Sequence, residues 1–253
     1  MCIRDSDKLN VRGGVGRSIR AADYTERYVS TNLDYLSSGR NLGNPDLEAE
    51  RSWNFEAGVD YFFTQQFKLS ATAFYRIGSN LIDYVSTPAN EIETSVILDS
   101  NGTYLYTQNI SEVTTFGVEA ELWYKWVLNE SSFINLSMGY TYLDTKNPKG
   151  EVSKYVSSHA HHLVNGNIIY NSQRIRVGVS GLWKDRKIAI NNDIGMELKP
   201  RYTVINGLFG VNLLKKRLLI DLEVMNIFNE SYQDILGAVM PGRWVIASLS
   251  FTL

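Results

Sequence analysis

Five carboxylates draw the eye because of the company they keep. In SWNFEAGVDYFF, 52–63, Trp53, Phe55, Ala57, Val59, Tyr61 and Phe63 occupy one set of alternate positions, and Asn54, Glu56, Gly58 and Asp60 the other. In TFGVEAELWYKW, 115–126, Glu119 and Glu121 oppose Phe116, Val118, Ala120, Leu122, Tyr124 and Trp126. In 218–228, Asp221 and Glu223 oppose Leu218, Ile220, Leu222 and Val224. A strand sends alternate side chains to opposite faces. All five carboxylates therefore lie on polar strand faces backed by apolar ones. A carboxylate taken out of water needs a cation, and a bidentate arginine is the best partner. On a wet face the same carboxylates are simply solvated, so the pattern by itself offers ionic contact and leaves the partner open. Catalytic signatures do not accompany it: there is no HExxH, P-loop, Gly-x-Ser-x-Gly or CxxC. HAHH, 159–162, puts His159 and His161 on one strand face, a pattern that could suit zinc, copper or nickel.

The elements that must position these residues repeat one pattern. Alternation recurs in FKLSATAFYRI, 67–77, in FINLSMGYTY, 133–142, and in the closing strand 243–253, with weaker versions near 10–19, 162–170, 174–184 and 202–213. That makes about ten strands, each near the ~9–11 residues a tilted membrane strand requires. The connections alternate as well. TQQ at 64–66, LNES at 128–131, NSQ at 171–173 and LKKR at 214–217 are short; those near 20–50, 84–108, 143–160, 185–200 and 229–241 are long. A soluble sandwich has no reason to sort its loops so. An outer-membrane barrel has short turns on the periplasmic side and long loops outside. The reading is an all-β chain forming an antiparallel up-and-down transmembrane β-barrel, with apolar faces and strand-end aromatics toward lipid and polar faces toward a lumen.

The totals agree. Of 253 residues, 44% are hydrophobic, 12% are aromatic and 15 are Tyr, fitting interface belts. The formal charge, 25 − 27 = −2, points to no nucleic-acid partner. Cys2 is the only cysteine, so no internal disulfide forms. No apolar run is long enough for a membrane helix, which leaves barrel strands untouched. The opening MCIRDS has no apolar signal segment, and residues 1–9 are expected to be a non-native or disordered start. Loops on a rigid barrel are where binding sits, so Tyr24, Arg27, Tyr28, Tyr35 and Arg40 are candidate ligand contacts.

Four stretches, in order, resemble TonB-dependent outer-membrane receptors: GRSIRAADYTERY at 16–28 (with Ala22 where proline is usual), GNPDLEAERSWNFEAGVDY at 43–61, NISEVTTFGVEAEL at 109–122 and MNIFNESYQDILGAVMPGRWVIASLSFTL at 225–253. The resemblance implies a barrel of about 22 strands closed by a plug, of which residues 10–253 would be the C-terminal part without the plug. It implies active transport of a scarce large solute, cobalamin or an iron-siderophore complex, driven by the TonB energy complex through the missing N-terminal part. Met240–Trp244 and the Gly-Val-Glu strand, Gly117–Glu119, lean slightly to the vitamin B12 branch. Glu56 and Glu119, and less directly Glu121, Asp221 and Glu223, would meet plug arginines. Phe251 and Leu253 would carry the outer-membrane assembly signal, although the family's terminal aromatic is absent. The HAHH stretch resembles the family's strand opening, with His161 at its histidine, so no metal site and no cofactor are assigned. The competing readings are a complete small barrel enzyme of protease type and a passive porin. The first needs paired Asp and His at the strand tops, and the histidines here have no acidic neighbours in sequence.

Overall fold

The computed structural model describes residues 2–4, 6–146, 159–186, 189–191, 196–214, 217–235 and 238–252. A short strand, β1 (Cys2–Arg4), precedes β2 (Leu9–Arg20). A single helix, α1 (Tyr24–Tyr28), and two short strands, β3 (Tyr35–Leu36) and β4 (Asn41–Leu42), fill the first long connection. Then come β5 (Glu50–Thr64), β6 (Phe67–Pro88), β7 (Ile97–Leu98) and β8 (Thr103–Asn129). The chain continues with β9 (Ser132–Lys146), β10 (Ala160–Asn171), β11 (Ile175–Arg186), β12 (Ala189–Asn191) and β13 (Met196–Leu198). It closes with β14 (Arg201–Leu213), β15 (Leu218–Met225) and β16 (Trp244–Phe251).

One sheet runs β1-β2-β5-β6-β8-β9-β10-β11-β14-β15-β16, with β4 attached to β8. Each long strand pairs antiparallel with the next, an up-and-down wall. Without β1 the path holds ten long strands, as the alternation implies. The tight turns fall where the short connections were read. Within 1–9, expected to be a non-native or disordered start, Cys2–Arg4 form β1 on the edge of β2 and Leu9 begins β2.

The stretch 84–108, read as a loop, is a correction. β6 is 22 residues and β8 is 27; at about 3.3 Å per residue β6 reaches roughly 70 Å, far beyond a hydrocarbon core of ~30 Å. Their upper halves form a hairpin standing above the membrane. Asn80 marks the departure: its φ is 54°, and the β6–β8 ladder skips its pair between Ser79↔Glu112 and Leu81↔Ile110 while keeping the same register on both sides. Asparagine tolerates the left-handed region better than most residues, so the backbone can bend at this one pair and resume in the same register. Above the bend, Ile82, Asp83, Tyr84 and Val85 are all buried. The 20–50 connection covers this hairpin, so no alternation survives to be read. Leu36, Leu42, Val96 and Tyr104 make a small core there. The Tyr104 hydroxyl donates to the Leu36 carbonyl at 2.9 Å.

In the membrane part, the register keeps faces consistent across strands. Phe55, Tyr75 and Phe116 are cross-strand neighbours on one face, and all are exposed. Leu222 and Leu249 share the same exposed character on later strands. Glu119 stands beside Thr72 and Thr141, and Glu121 beside Ser70 and Gly139, on the other face.

Candidate functional site

The external rim of the wall is held by a three-member ion cluster. The guanidinium of Arg20, at the top of β2, donates to both oxygens of Glu50 at 2.7 and 2.8 Å and both oxygens of Glu26 at 2.9 and 3.0 Å. The β2–β5 register sets Arg20 opposite Glu50. Glu26 is placed by α1, whose first turn is closed by a capping box: the Asp23 side chain accepts from the Glu26 amide and Glu26 accepts from the Asp23 amide. The Ile82 amide on the hairpin donates to Glu50 at 2.8 Å. One cluster therefore ties barrel, helix and hairpin together. Burial alone would raise the Glu50 carboxyl, but Arg20 and the Ile82 amide outweigh it and hold it below its ordinary value. The same two carboxylates push Arg20 up.

Beside this cluster opens a rim cavity of about 370 Å³, lined by Arg20, Glu50, Arg76, Asp83, Thr115 and His159 among others. Among the described residues Arg76 forms no ion pair. Burial first, then the positive charges of Lys184 and Arg76, push the His159 imidazole below its ordinary value. His159 Nδ1 lies 3.3 Å from the Thr145 hydroxyl. The cavity thus presents one open guanidinium and a neutral imidazole beside a satisfied ion cluster.

A second rim cluster sits across the wall. Arg186, only 3% exposed, donates to the carbonyls of Lys199, Gln233 and Asp234 at 3.0, 2.5 and 2.9 Å. Lys184 pairs with Asp234 at 3.2 Å and the Tyr202 hydroxyl donates to the same carboxylate. Tyr202 and Tyr232 stack at 4.6 Å. These contacts strap the β15–β16 connection onto the strand tops. Met240–Trp244 is used the same way. The Pro241 carbonyl accepts from Asn226, the Arg243 amide donates to Asn229, and a Cβ on Gly242 would come within 2.6 Å of the Asn229 oxygen. That segment has a folding role sufficient to account for its residues.

The five plug-facing candidates divide. Glu56, Glu119 and Glu121 are exposed on the polar face, and none forms an ion pair among the described residues. Glu56 lies over Gly14, where a Cβ would meet its oxygen at 2.8 Å. Glu119 and Glu121 line a hollow of about 280 Å³ together with Arg12 and Asn165. Asp221 differs. It is buried, and one of its oxygens already accepts from Arg176 at 3.0 Å across Gly210. Its other oxygen has no partner among the described residues. Glu223 is half-buried one step along the same face. Asp60 is absent from the sequence candidates, and it binds Arg12 at 2.7 Å, Ser70 at 2.7 Å and Lys68 at 3.4 Å.

The loop candidates do not converge on the rim cavity. Tyr24 is 80% exposed and packs on Tyr28 with ring centroids 5.1 Å apart. Arg27 holds its own loop through the carbonyls of Pro45 and Leu47, both at 2.9 Å. The Tyr35 hydroxyl donates to Asp99 at 2.6 Å, and Arg40 is exposed. The histidines serve separate hydroxyls: His159 faces Thr145, and His162 Nδ1 lies 2.8 Å from the Tyr140 hydroxyl. Phe251 is exposed opposite Leu218, whereas Leu253 falls outside the described residues. Sequence reading missed Arg20, Glu26, Glu50, Arg76 and Arg186. Only Glu26 left a local trace, the Asp-x-x-Glu spacing of a capping box.

An antiparallel wall with a lipid face, a polar lumen face and a folded external rim is an outer-membrane β-barrel. The family model described as TonB dependent receptor-like, beta-barrel, matches residues 4–227. The chain belongs to that family and is an outer-membrane receptor component, not an enzyme. It is 30% identical over 254 residues to the iron-regulated outer membrane virulence protein of Vibrio cholerae serotype O1, covering 95% of this chain and 37% of that protein. The chain thus spans well under half the length of the curated relatives it matches. Among solved structures, the copper transporter OprC superposes with a TM-score of 0.71 at 13% identity, over 99% of this chain and 38% of that one. The siderophore receptor PirA from Pseudomonas aeruginosa gives 0.63 at 16% identity, over 100% and 41%. These two likenesses show the fold.

Proposed function

We propose that this chain is the C-terminal part of the barrel wall of a longer receptor that actively imports a ferric siderophore, with energy relayed by the TonB complex through an N-terminal plug. The observation that carries the solute class is the rim cavity. Arg76 is a guanidinium with no ion pair among the described residues, close enough to Glu50 to lower that carboxyl, and it lines the cavity with His159. Glu26, Glu50 and Asp83 also line this mouth, and Arg20 serves the first two, which leaves Arg76 as its cationic contact for an anionic group of a large solute. The iron-regulated relative supports the same class. Cobalamin, the slight lean of Met240–Trp244 and of Gly117–Glu119, is the competing solute. The test is growth of an iron-starved strain lacking its own receptors, complemented with the intact protein. We expect rescue by a ferric siderophore and loss of most uptake in Arg76→Gln. Rescue of cobalamin uptake alone would overturn the reading.

The plug would dock on the open carboxylates. Asp60 is satisfied within the wall, so plug cations would find Glu56, Glu119, Glu121 and the free oxygen of Asp221. A carboxylate in a filled lumen loses water, and leaving it unpaired costs several kcal/mol by the usual order of magnitude, roughly 3–5. Intact receptors carrying Glu56→Gln with Glu119→Gln should leak a large antibiotic. Wild-type exclusion and transport in that variant would show these glutamates to be only wet lumen residues.

A further inference from the structure

The lipid side of β2, β5 and β6 carries a feature that transport does not use. Gly13, Ala57 and Ala73 are cross-strand neighbours there, and the bare Gly13 backbone with the two alanine methyls floors a groove of about 760 Å³ walled by Val15, Phe55 and Phe116. The next positions toward the external rim are Arg17 and Trp53, paired across β2 and β5, followed by Arg51. The Arg17 guanidinium lies over the Trp53 ring at 5.6 Å. Arg51 is two residues from Trp53 on the same face, which places its Cβ diagonal to that of Arg17 at about 7–8 Å. Both arginines are exposed, and among the described residues neither forms an ion pair. Of the inward arginines of the same wall, Arg12, Arg20 and Arg176 each hold a carboxylate, while Arg76 faces the rim cavity. Glu112, the acidic residue on the Arg51 row, stands two strands away, about 10 Å.

From this geometry we infer a specific lipid site: a lipid of the outer leaflet bearing an anionic phosphomonoester, its phosphate clamped by Arg17 and Arg51 and one acyl chain laid in the groove below. Two forks at this spacing can share one phosphate through charge-assisted bonds. Tryptophan sits where membrane proteins place it, at headgroup level. The groove lies directly on the membrane side of the clamp, so one molecule meets both at once. The site depends on the outer-membrane location and not on the transported solute.

The experiment is lipid titration of the intact detergent-purified receptor followed by native mass spectrometry, with a diphosphorylated lipid A, phosphatidylcholine and inorganic phosphate as separate arms. We expect retention of lipid A at least tenfold stronger than of phosphatidylcholine, and no displacement by equimolar inorganic phosphate. The double variant Arg17→Gln, Arg51→Gln should lose that preference. The variant Arg17→Lys, Arg51→Lys, which keeps the charge, should retain part of it, and Ala57→Leu, which fills the groove, should weaken binding with both arginines present. Equal retention of the two lipids, displacement by phosphate, or full retention in the glutamine variant would each overturn the site.

Discussion

Replacing Arg20 with methionine isolates the rim cluster, because the new side chain keeps most of the length and removes all of the charge. The two carboxylates it serves are only 12% exposed each, while Arg20 itself is 46% exposed. A wholly exposed pair contributes ~0–1 kcal/mol. Removing one partner of a fully buried pair costs about 3–5 kcal/mol. The half-exposed cation with two shielded acceptors lies between these limits, at ~2–3 kcal/mol. The cost falls on the docking of α1 and the 20–50 connection, since within the sheet the cluster touches only the terminal Arg20↔Glu50 pair of the β2–β5 ladder. A change of ~3 kcal/mol is about a hundredfold in an opening equilibrium. Amide exchange over 24–48 in the intact receptor should therefore quicken about thirty- to a hundredfold, with protection in β9 and β10 unchanged. Exchange altered by less than threefold would refute the clamp, since the carboxylates would then be served by water.

Three further outcomes follow from the same contacts. Glu50 has a folded pKa held below its ordinary value of 4.5, so it contributes stability that is present above that value and lost as the pH falls through the folded pKa; amide protection of 24–48 should collapse on acidification below about pH 4.5 and stay flat from there to neutrality. Gly210→Ala puts a Cβ 2.2 Å from the Asp221 oxygen, whereas Gly16→Ala meets nothing within 4 Å; the first should lower receptor stability by ~1–3 kcal/mol and the second by far less, read by thermal unfolding in detergent. Asp at both Phe251 and Leu253 should keep the intact receptor out of the outer membrane, and normal surface levels on cell fractionation would remove the assembly role from these positions.

Much of the wall was legible because alternation is local. A period of two assigns each residue a face from its immediate neighbours, so the apolar faces, the lumen carboxylates and the sorting of short and long connections could be read from any one strand. Glu56, Glu119 and Glu121 sit where that period puts them. The partners were not legible, because they depend on registers between distant segments. Arg20 meets Glu50 thirty residues on, and Arg12 meets Asp60 forty-eight residues on. Asp221 is as polar in sequence as Glu119, yet Gly210 lets Arg176 reach it across the intervening strand. The hairpin of β6 and β8 was misread because its two faces are both covered, which erases the very alternation used to find strands. The lipid groove and its arginines exist only once β2, β5 and β6 are laid side by side. The sequence by itself determined which face each side chain takes; the tertiary structure decided which side chains meet, because pairing across strands is set by long-range register and not by local pattern.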